Sequence, residues 1–556
     1  METTVLSLWT RDRKVPRCAP RRWRGWLSFS LGVWWCVVSL APVGAQALLR
    51  AVETPVGGGL GFVINGSNNY DRSGTSVSGA GDVNGDGLDD VIVGASSASP
   101  DGRYAAGRSY VVFGKRGGQP AELSTLENGT SRDGFVINGS NNYDGSGYSV
   151  DGAGDVNGDG LDDVIVGAPG ADPDSRYAAG RSYVVFGKRG GQPVELATLE
   201  SGTSRNGFVI NGSNDYDSAG IAVSGVGDVN GDGLDDVIVG APGADPDSRY
   251  AAGRSYVVFG KRGGQPVELA TLESGTSRNG FVINGSIENF LSGVAVSGAG
   301  DVNGDGLDDL IVGTDPDGRY NTEHSYVVFG KRNGRPVELS ALESGNSRTG
   351  FVINGIYFAE SGESVGGAGD VNGDGLDDVI VGAPVATPPD GYFSGQSYVV
   401  FGKRNSQPVE LTDIGRGTGR DGFVINGSND YDSAGRSVGG AGDVNGDGLD
   451  DVLVYAPFAY PYGRSYVVFG KRSTQPVELS TLESGTGRDG FVINGSNNSF
   501  SGAEDVNGDG LDDVIVGVSS ASPDGRYAAG RSYVVFGKRN SQPVELADLE
   551  AAGQLP

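Results

Sequence analysis

From residue 61 onward, short apolar runs alternate with polar turns rich in Gly, Asn, Asp, Ser and Pro. In the second of the units this alternation defines, the apolar segments fall at 148–153, 163–168, 182–187 and 208–211. Val164-Ile165-Val166 and Tyr183-Val184-Val185-Phe186 are β-branched and aromatic without a polar interruption, as expected of strands covered on both faces. No segment combines a helical period with a helical length. The pattern predicts four short strands per unit and an all-β fold.

The units repeat. The string DVNGDGLDD begins at Asp82, Asp155, Asp228, Asp301, Asp370, Asp443 and Asp505, at spacings of 73, 73, 73, 69, 73 and 62 residues. FVING begins at Phe62, Phe135, Phe208, Phe281, Phe351, Phe423 and Phe491, and SYVVFGK recurs seven times between Ser109 and Lys538. Four-stranded antiparallel units that each need a neighbour on both faces make a propeller, so seven copies predict a seven-bladed β-propeller. The phase of the repeats bears on closure, because FVING at Phe62 precedes the first acidic string and no eighth FVING follows the last SYVVFGK. The Phe62 region is therefore expected to complete the last blade and close the ring without an open edge.

The first 45 residues differ from the rest. A basic stretch at 11–24 precedes an apolar run at 27–40 and the small residues Val43-Gly44-Ala45, the pattern of a cleaved secretion signal. Arg21-Arg22 leaves a twin-arginine variant of that address open. The expected organisation is a signal peptide at 1–45, a short linker at 46–60, the propeller at 61–550 and a tail at 551–556. Both cysteines (Cys18, Cys36) lie in the leader, so no disulfide is expected in the remainder. That remainder carries 35 basic and 68 acidic residues, a formal charge of −33, which disfavours nucleic acid as a partner. With no second apolar segment of spanning length and no lipid signal at 551–556, a secreted or surface-associated protein without a membrane span is expected.

The acidic strings carry the candidate chemistry. Oxygen-bearing side chains stand at positions 1, 3, 5 and 9 of each, with Gly at position 6, and the position-7 carbonyl adds a further donor; calcium takes six to eight such hard oxygens. The expected ligands are Asp82, Asn84, Asp86, Leu88 and Asp90; Asp155, Asn157, Asp159, Leu161 and Asp163; Asp228, Asn230, Asp232, Leu234 and Asp236; Asp301, Asn303, Asp305, Leu307 and Asp309; Asp370, Asn372, Asp374, Leu376 and Asp378; Asp443, Asn445, Asp447, Leu449 and Asp451; and Asp505, Asn507, Asp509, Leu511 and Asp513. Up to seven calcium ions follow. The position-8 acid, Asp89 in the first copy, is expected to point away from the ion. A polar hairpin turn would explain the Gly and Asn, but not three carboxylates whose repulsion destabilises an empty loop. The string begins like an EF-hand but has Val93 in place of the twelfth-position Glu.

These residues resemble the FG-GAP repeats of the N-terminal propeller of integrin α-subunits. Phe113-Gly114 and Gly167-Ala168-Pro169 are the two strings of that name, and the acidic string matches the family's calcium loop in all seven copies. The resemblance implies calcium in the hairpin between the first and second strands of each blade. Nothing here resembles integrin leg domains or a transmembrane helix, so heterodimeric adhesion is not implied.

Connections on the face opposite the acidic loops vary most between copies: Asn68-Asn69-Tyr70-Asp71 against Ile287-Glu288-Asn289-Phe290 and Tyr357-Phe358-Ala359-Glu360. Loops on a rigid scaffold are where binding concentrates. An extracellular recognition or adhesion module taking a protein or glycan partner is expected, with a carbohydrate-binding lectin and a polysaccharide-processing enzyme with a cryptic carboxylate site as alternatives. Catalysis is not expected: His324 is the only histidine, and the acids recur without a unique pair. The second-to-third connection is three residues shorter in the fourth blade and five shorter in the sixth, and the segment from Phe491 to Asp505 is six shorter than its counterparts. That last difference predicts a stunted inner strand in the seventh blade.

Overall fold

The computed structural model describes residues 59–552, apart from 316–322, 346, 389–390, 418, 486 and 496–498. The expected signal peptide, most of the linker and the end of the tail lie outside the described residues. Among those described, no helix is long and apolar enough to cross a membrane.

Seven sheets form a seven-bladed propeller. In the first blade Ser76–Gly81, Asp90–Ala95, Arg108–Val112 and Gly134–Asn138 run antiparallel in that order. The expectation of four strands is corrected by a fifth in every blade. Val194–Glu195, from the following repeat, pairs parallel with Gly134–Asn138 through Val194↔Ile137 and Glu195↔Asn138. Two residues are too few to register as a period in sequence. A short helix follows each fifth strand, from Leu123–Leu126 to Leu546–Ala552, so the absence of helix expected from the pattern is also corrected. One turn buries only a pair of apolar side chains such as Leu196 and Leu199, and its helicity comes from that packing.

In the second blade the antiparallel strands are Val150–Gly154, Asp163–Ala168, Arg181–Val185 and Gly207–Asn211, close to the predicted segments. Gly61–Asn65 lies antiparallel to Arg531–Val535 with Phe62 opposite Val534, and Ala121–Glu122 pairs with it in turn. Both outer strands of the seventh sheet thus come from the first hundred or so residues of the chain. The inner strand of that sheet, Ser499–Glu504, is six residues long, as is Ser76–Gly81. The predicted stunting is therefore corrected: the missing residues correspond to 70–75, in the connection ahead of the strand, and the strand keeps its length.

Apolar side chains pack between blades. At the closing seam Phe62, Ile64 and Val534 of the last blade meet Val77, Val91, Val93 and Tyr110 of the first, and each other seam has an equivalent layer. Each fully buried Val, Ile or Phe contributes about 1.5–3 kcal/mol. The two apolar strings meet here: Phe113 packs edge-to-face on Phe135 at 6.1 Å, and Lys188 of the next blade sits 4.0 Å from the centre of the Phe135 ring. Gly114 is required at this point because a Cβ would lie 2.4 Å from the Asp89 carbonyl and 2.7 Å from that of Val506. The first strands, rich in Ser and Gly, line a central channel.

Candidate metal-binding loops

Each acidic string forms the turn between the first and second strands of its blade. The position-1 carboxylate organises it. Asp82 Oδ1 accepts from the Gly85 and Asp86 N–H at 2.7 and 3.0 Å, and Oδ2 from the Gly87 N–H at 2.9 Å. Asp86 Oδ1 accepts from the Leu88 N–H at 3.1 Å. Gly87 sits at φ 86° with no atom near a would-be Cβ, so it is needed for backbone conformation, not for space. The same bonds recur in the other six copies, as at Asp155 and Asp505.

The position-9 carboxylate is different in kind. Asp90 is fully buried and accepts from the Gly114 N–H at 2.8 Å and from Asn84 Nδ2 at 3.2 Å. Burial, then the nearby charges of Asp86 and Asp82, push its carboxyl up to about 8. Asp163, Asp236, Asp309, Asp378, Asp451 and Asp513 are pushed up to about 8 as well, with burial again the largest cause. The turn thus places hard oxygens from positions 1, 3, 5 and 9 in one loop, the donor chemistry that suits a hard dication. Among the described residues no three His, Cys, Asp or Glu side chains converge as a ready-made cluster; the carboxylates of positions 1 and 5 are turned onto the loop's own backbone.

Position 8 has a role that sequence reasoning missed. Asp162 Oδ2 accepts from the backbone N–H of Asp82 in the preceding blade at 2.8 Å. The equivalent bonds join Asp155 to Asp235, Asp228 to Asp308, Asp301 to Asp377, Asp370 to Asp450 and Asp443 to Asp512, and Asp505 to Asp89 completes the circle, all at 2.6–3.0 Å. The side chain does point away from its own loop, and it reaches the start of its neighbour's. The doubled Asp ending every string was the available signal.

Two acids break the repeat on the channel wall. Asp151 stands where other copies have Ser or Gly, and its Oδ1 accepts from Ser78 Oγ at 2.5 Å. Glu504 replaces the glycine found at Gly81 and its other counterparts and adopts φ 57°. Burial and the charges of Asp89, Asp162 and Asp512 push its carboxyl up to about 7. The channel wall therefore carries two acids that depart from the repeat, where the sequence had offered no unique pair. His324 is the first residue of the strand His324–Val328, at the position of Arg108 in the first blade. It packs against Tyr326 at 6.0 Å, and burial lowers its pKa.

On the opposite face, exposed tyrosines meet across four seams: Tyr70 with Tyr527, Tyr104 with Tyr143 and Tyr177 with Tyr216 at 5.2 Å, and Tyr392 with Tyr431 at 5.5 Å.

The FG-GAP repeat family matches seven segments, 73–112, 146–185, 219–258, 292–328, 361–400, 434–468 and 496–535, one to each blade. The chain belongs to the FG-GAP repeat family. This FG-GAP protein is 29% identical over 270 residues to integrin alpha-PS2 of Drosophila melanogaster, covering 48% of the chain and 17% of that protein. It is 31% identical over 254 residues to integrin alpha pat-2 of Caenorhabditis elegans, covering 45% and 18% respectively. It is 32% identical over 176 residues to phosphatidylinositol-glycan-specific phospholipase D of Bos taurus, covering 31% of the chain and 19% of that protein. The chain spans less than a quarter of the length of these curated relatives.

Proposed function

We propose that this FG-GAP propeller is an extracellular, calcium-loaded recognition module that acts by binding and not by catalysis. The observation that carries the reading is the sevenfold acidic turn, which sets four carboxylates in nine residues, one of them fully buried and three of them in the expected ligand set. Mutual repulsion at that density is relieved by a hard dication. Asp82, Asn84, Asp86, the Leu88 carbonyl and Asp90 would hold the ion in the first copy, with their counterparts in the rest. Bound calcium would fix the turns that carry the bonds from blade to blade, leaving the opposite face, with its exposed tyrosine pairs, to meet a partner. Relatives named as integrin α-subunits support an extracellular protein partner.

The test is thermal unfolding with excess calcium and with chelator, together with a count of bound ions. About seven ions per chain and a marked rise in melting temperature are expected; one site held at a hundred times its Kd supplies about 2.7 kcal/mol. No shift and no bound metal would refute the calcium reading.

A further inference from the structure

In four seams the segment after a fourth strand folds over the next blade and buries an aspartate near the first residue of that blade's third strand. Asp71 faces Arg108, Asp144 faces Arg181, Asp217 faces Arg254 and Asp432 faces Arg464, each carboxyl buried and acted on by the arginine's charge. The segment is also stitched to the connection beside it, as where the Tyr70 N–H donates to the Tyr527 carbonyl at 2.9 Å and the Ser73 N–H to that of Ala529 at 3.0 Å. Where the arginine is absent, so is the aspartate: the fourth blade pairs Phe290 with His324, and the fifth pairs Ala359 with Gln396.

The seam between the sixth and seventh blades breaks this rule. Arg531 is retained, donating to Asn65 Oδ1 at 2.9 Å and paired with Glu550 at 2.5 Å. The counterpart of residues 70–75, which would bring the aspartate, is missing. The connection it would be stitched to, residues 457–463, is five residues shorter than 96–107 of the first blade. Among the described residues a cavity of about 600 Å³ is bordered there by Tyr462, Arg464, Asn494, Arg531, Tyr533 and Glu550. A second observation marks the same place. Arg108, Arg181, Arg254 and Arg531 each donate Nε–H to a fourth-strand Asn, whereas the buried Nε of Arg464 has no partner among the described residues. Tyr462 stands 72% exposed on the rim.

We propose that this seam is a docking cleft for an aspartate-bearing peptide segment of a partner protein, which supplies in trans the carboxylate that the chain's own loop supplies in four sister seams. The assignment rests on the reading of the chain as a recognition module and names its partner class. A peptide fits better than a glycan because peptide fills the sister slots: the aspartate faces the arginine, the tyrosine before it packs on a tyrosine of the adjoining connection, and the backbone is stitched alongside. Here Arg531 is the corresponding arginine, and Tyr462 is an exposed tyrosine that the shortened connection sets on the cavity rim.

The probe is a fluorescent peptide SNNYDRSG, the sequence of residues 67–74, titrated against the calcium-saturated full chain. Saturable one-to-one binding is expected, weakened at least tenfold when the peptide's Asp is replaced by Asn and when Arg531→Ala is introduced into the chain. A second variant guards against misfolding: inserting Tyr-Asp-Arg-Ser-Gly-Thr ahead of Ser499 restores the sister loop and should abolish binding without lowering the melting temperature. Undiminished binding of the Asn peptide, retained binding by the filled variant, or binding of a uronic-acid oligosaccharide in place of the peptide would each overturn the proposal. The cleft lies on the face opposite the acidic loops. Calcium-dependent melting of the same samples therefore separates a failure of the cleft from a failure of the calcium reading.

Discussion

Two adjacent aspartates close every acidic string, and they divide the labour. Asp236 is buried beneath its own loop, held by the Gly260 N–H at 2.8 Å, while Asp235 reaches back to the Asp155 N–H at 2.7 Å. Replacing Asp235 with Ala leaves a part-buried backbone donor without its acceptor, which costs about 1–3 kcal/mol. A lowered urea midpoint with an unchanged ion count is expected, and Asp235→Asn should recover part of the loss because its Oδ1 still accepts. An ion count that falls with Asp235→Ala would make position 8 a ligand. The hydrogen-bonded acidic turn was legible in sequence because it lies within nine consecutive residues. The partner of Asp235 was not, since it stands 80 residues earlier in the chain and only the ring geometry brings the two together. Glu504 escaped notice for a related reason: it is an acid among many until the fold sets it at φ 57° in a glycine's place.

At the scale of elements, long regularities were readable and short ones were not. Runs such as Asp163–Ala168 announced themselves as buried strands and were placed to the residue. The two-residue fifth strands and single-turn helices carry no period to detect, yet they are how each repeat grips its predecessor. Gly61–Asn65 makes these pairings between the two ends of the described chain, since it supplies the fourth strand of the seventh sheet and in turn pairs with Ala121–Glu122. Removing the chain through Asn65 strips the partner from Arg531–Val535 and exposes Phe536 and its neighbours. Five ladder positions at about 1 kcal/mol each are forfeited before any apolar loss is counted. The truncated chain should melt lower and, through its bare edge, form dimers or larger species by light scattering. A monomer of unaltered melting temperature would show that this pairing contributes little.

For the whole molecule, charge is the opposing force. The chain has 70 acidic against 42 basic residues, a net −28, and much of the acid is gathered at one rim. Self-repulsion of this kind weakens the compact state and yields to screening. Raising sodium chloride from about 0.05 to about 0.5 M, which shortens the Debye length severalfold, should therefore raise the melting temperature of the chelator-treated chain more than that of the calcium-saturated one. Equal shifts would mean that the loops are not where the repulsion resides.

The circle of seven Asp-to-Asp bonds acts as a hoop does on a cask. Every stave is gripped from both sides, and no stave is first or last, so there is no loose end from which peeling can begin. A hoop also fails unlike a row of nails: the first cut gives up closure itself, while a second cut only shortens an arc already open. The rim's hold on the propeller is therefore a property of the complete circle, and cannot be shared out as seven equal parts.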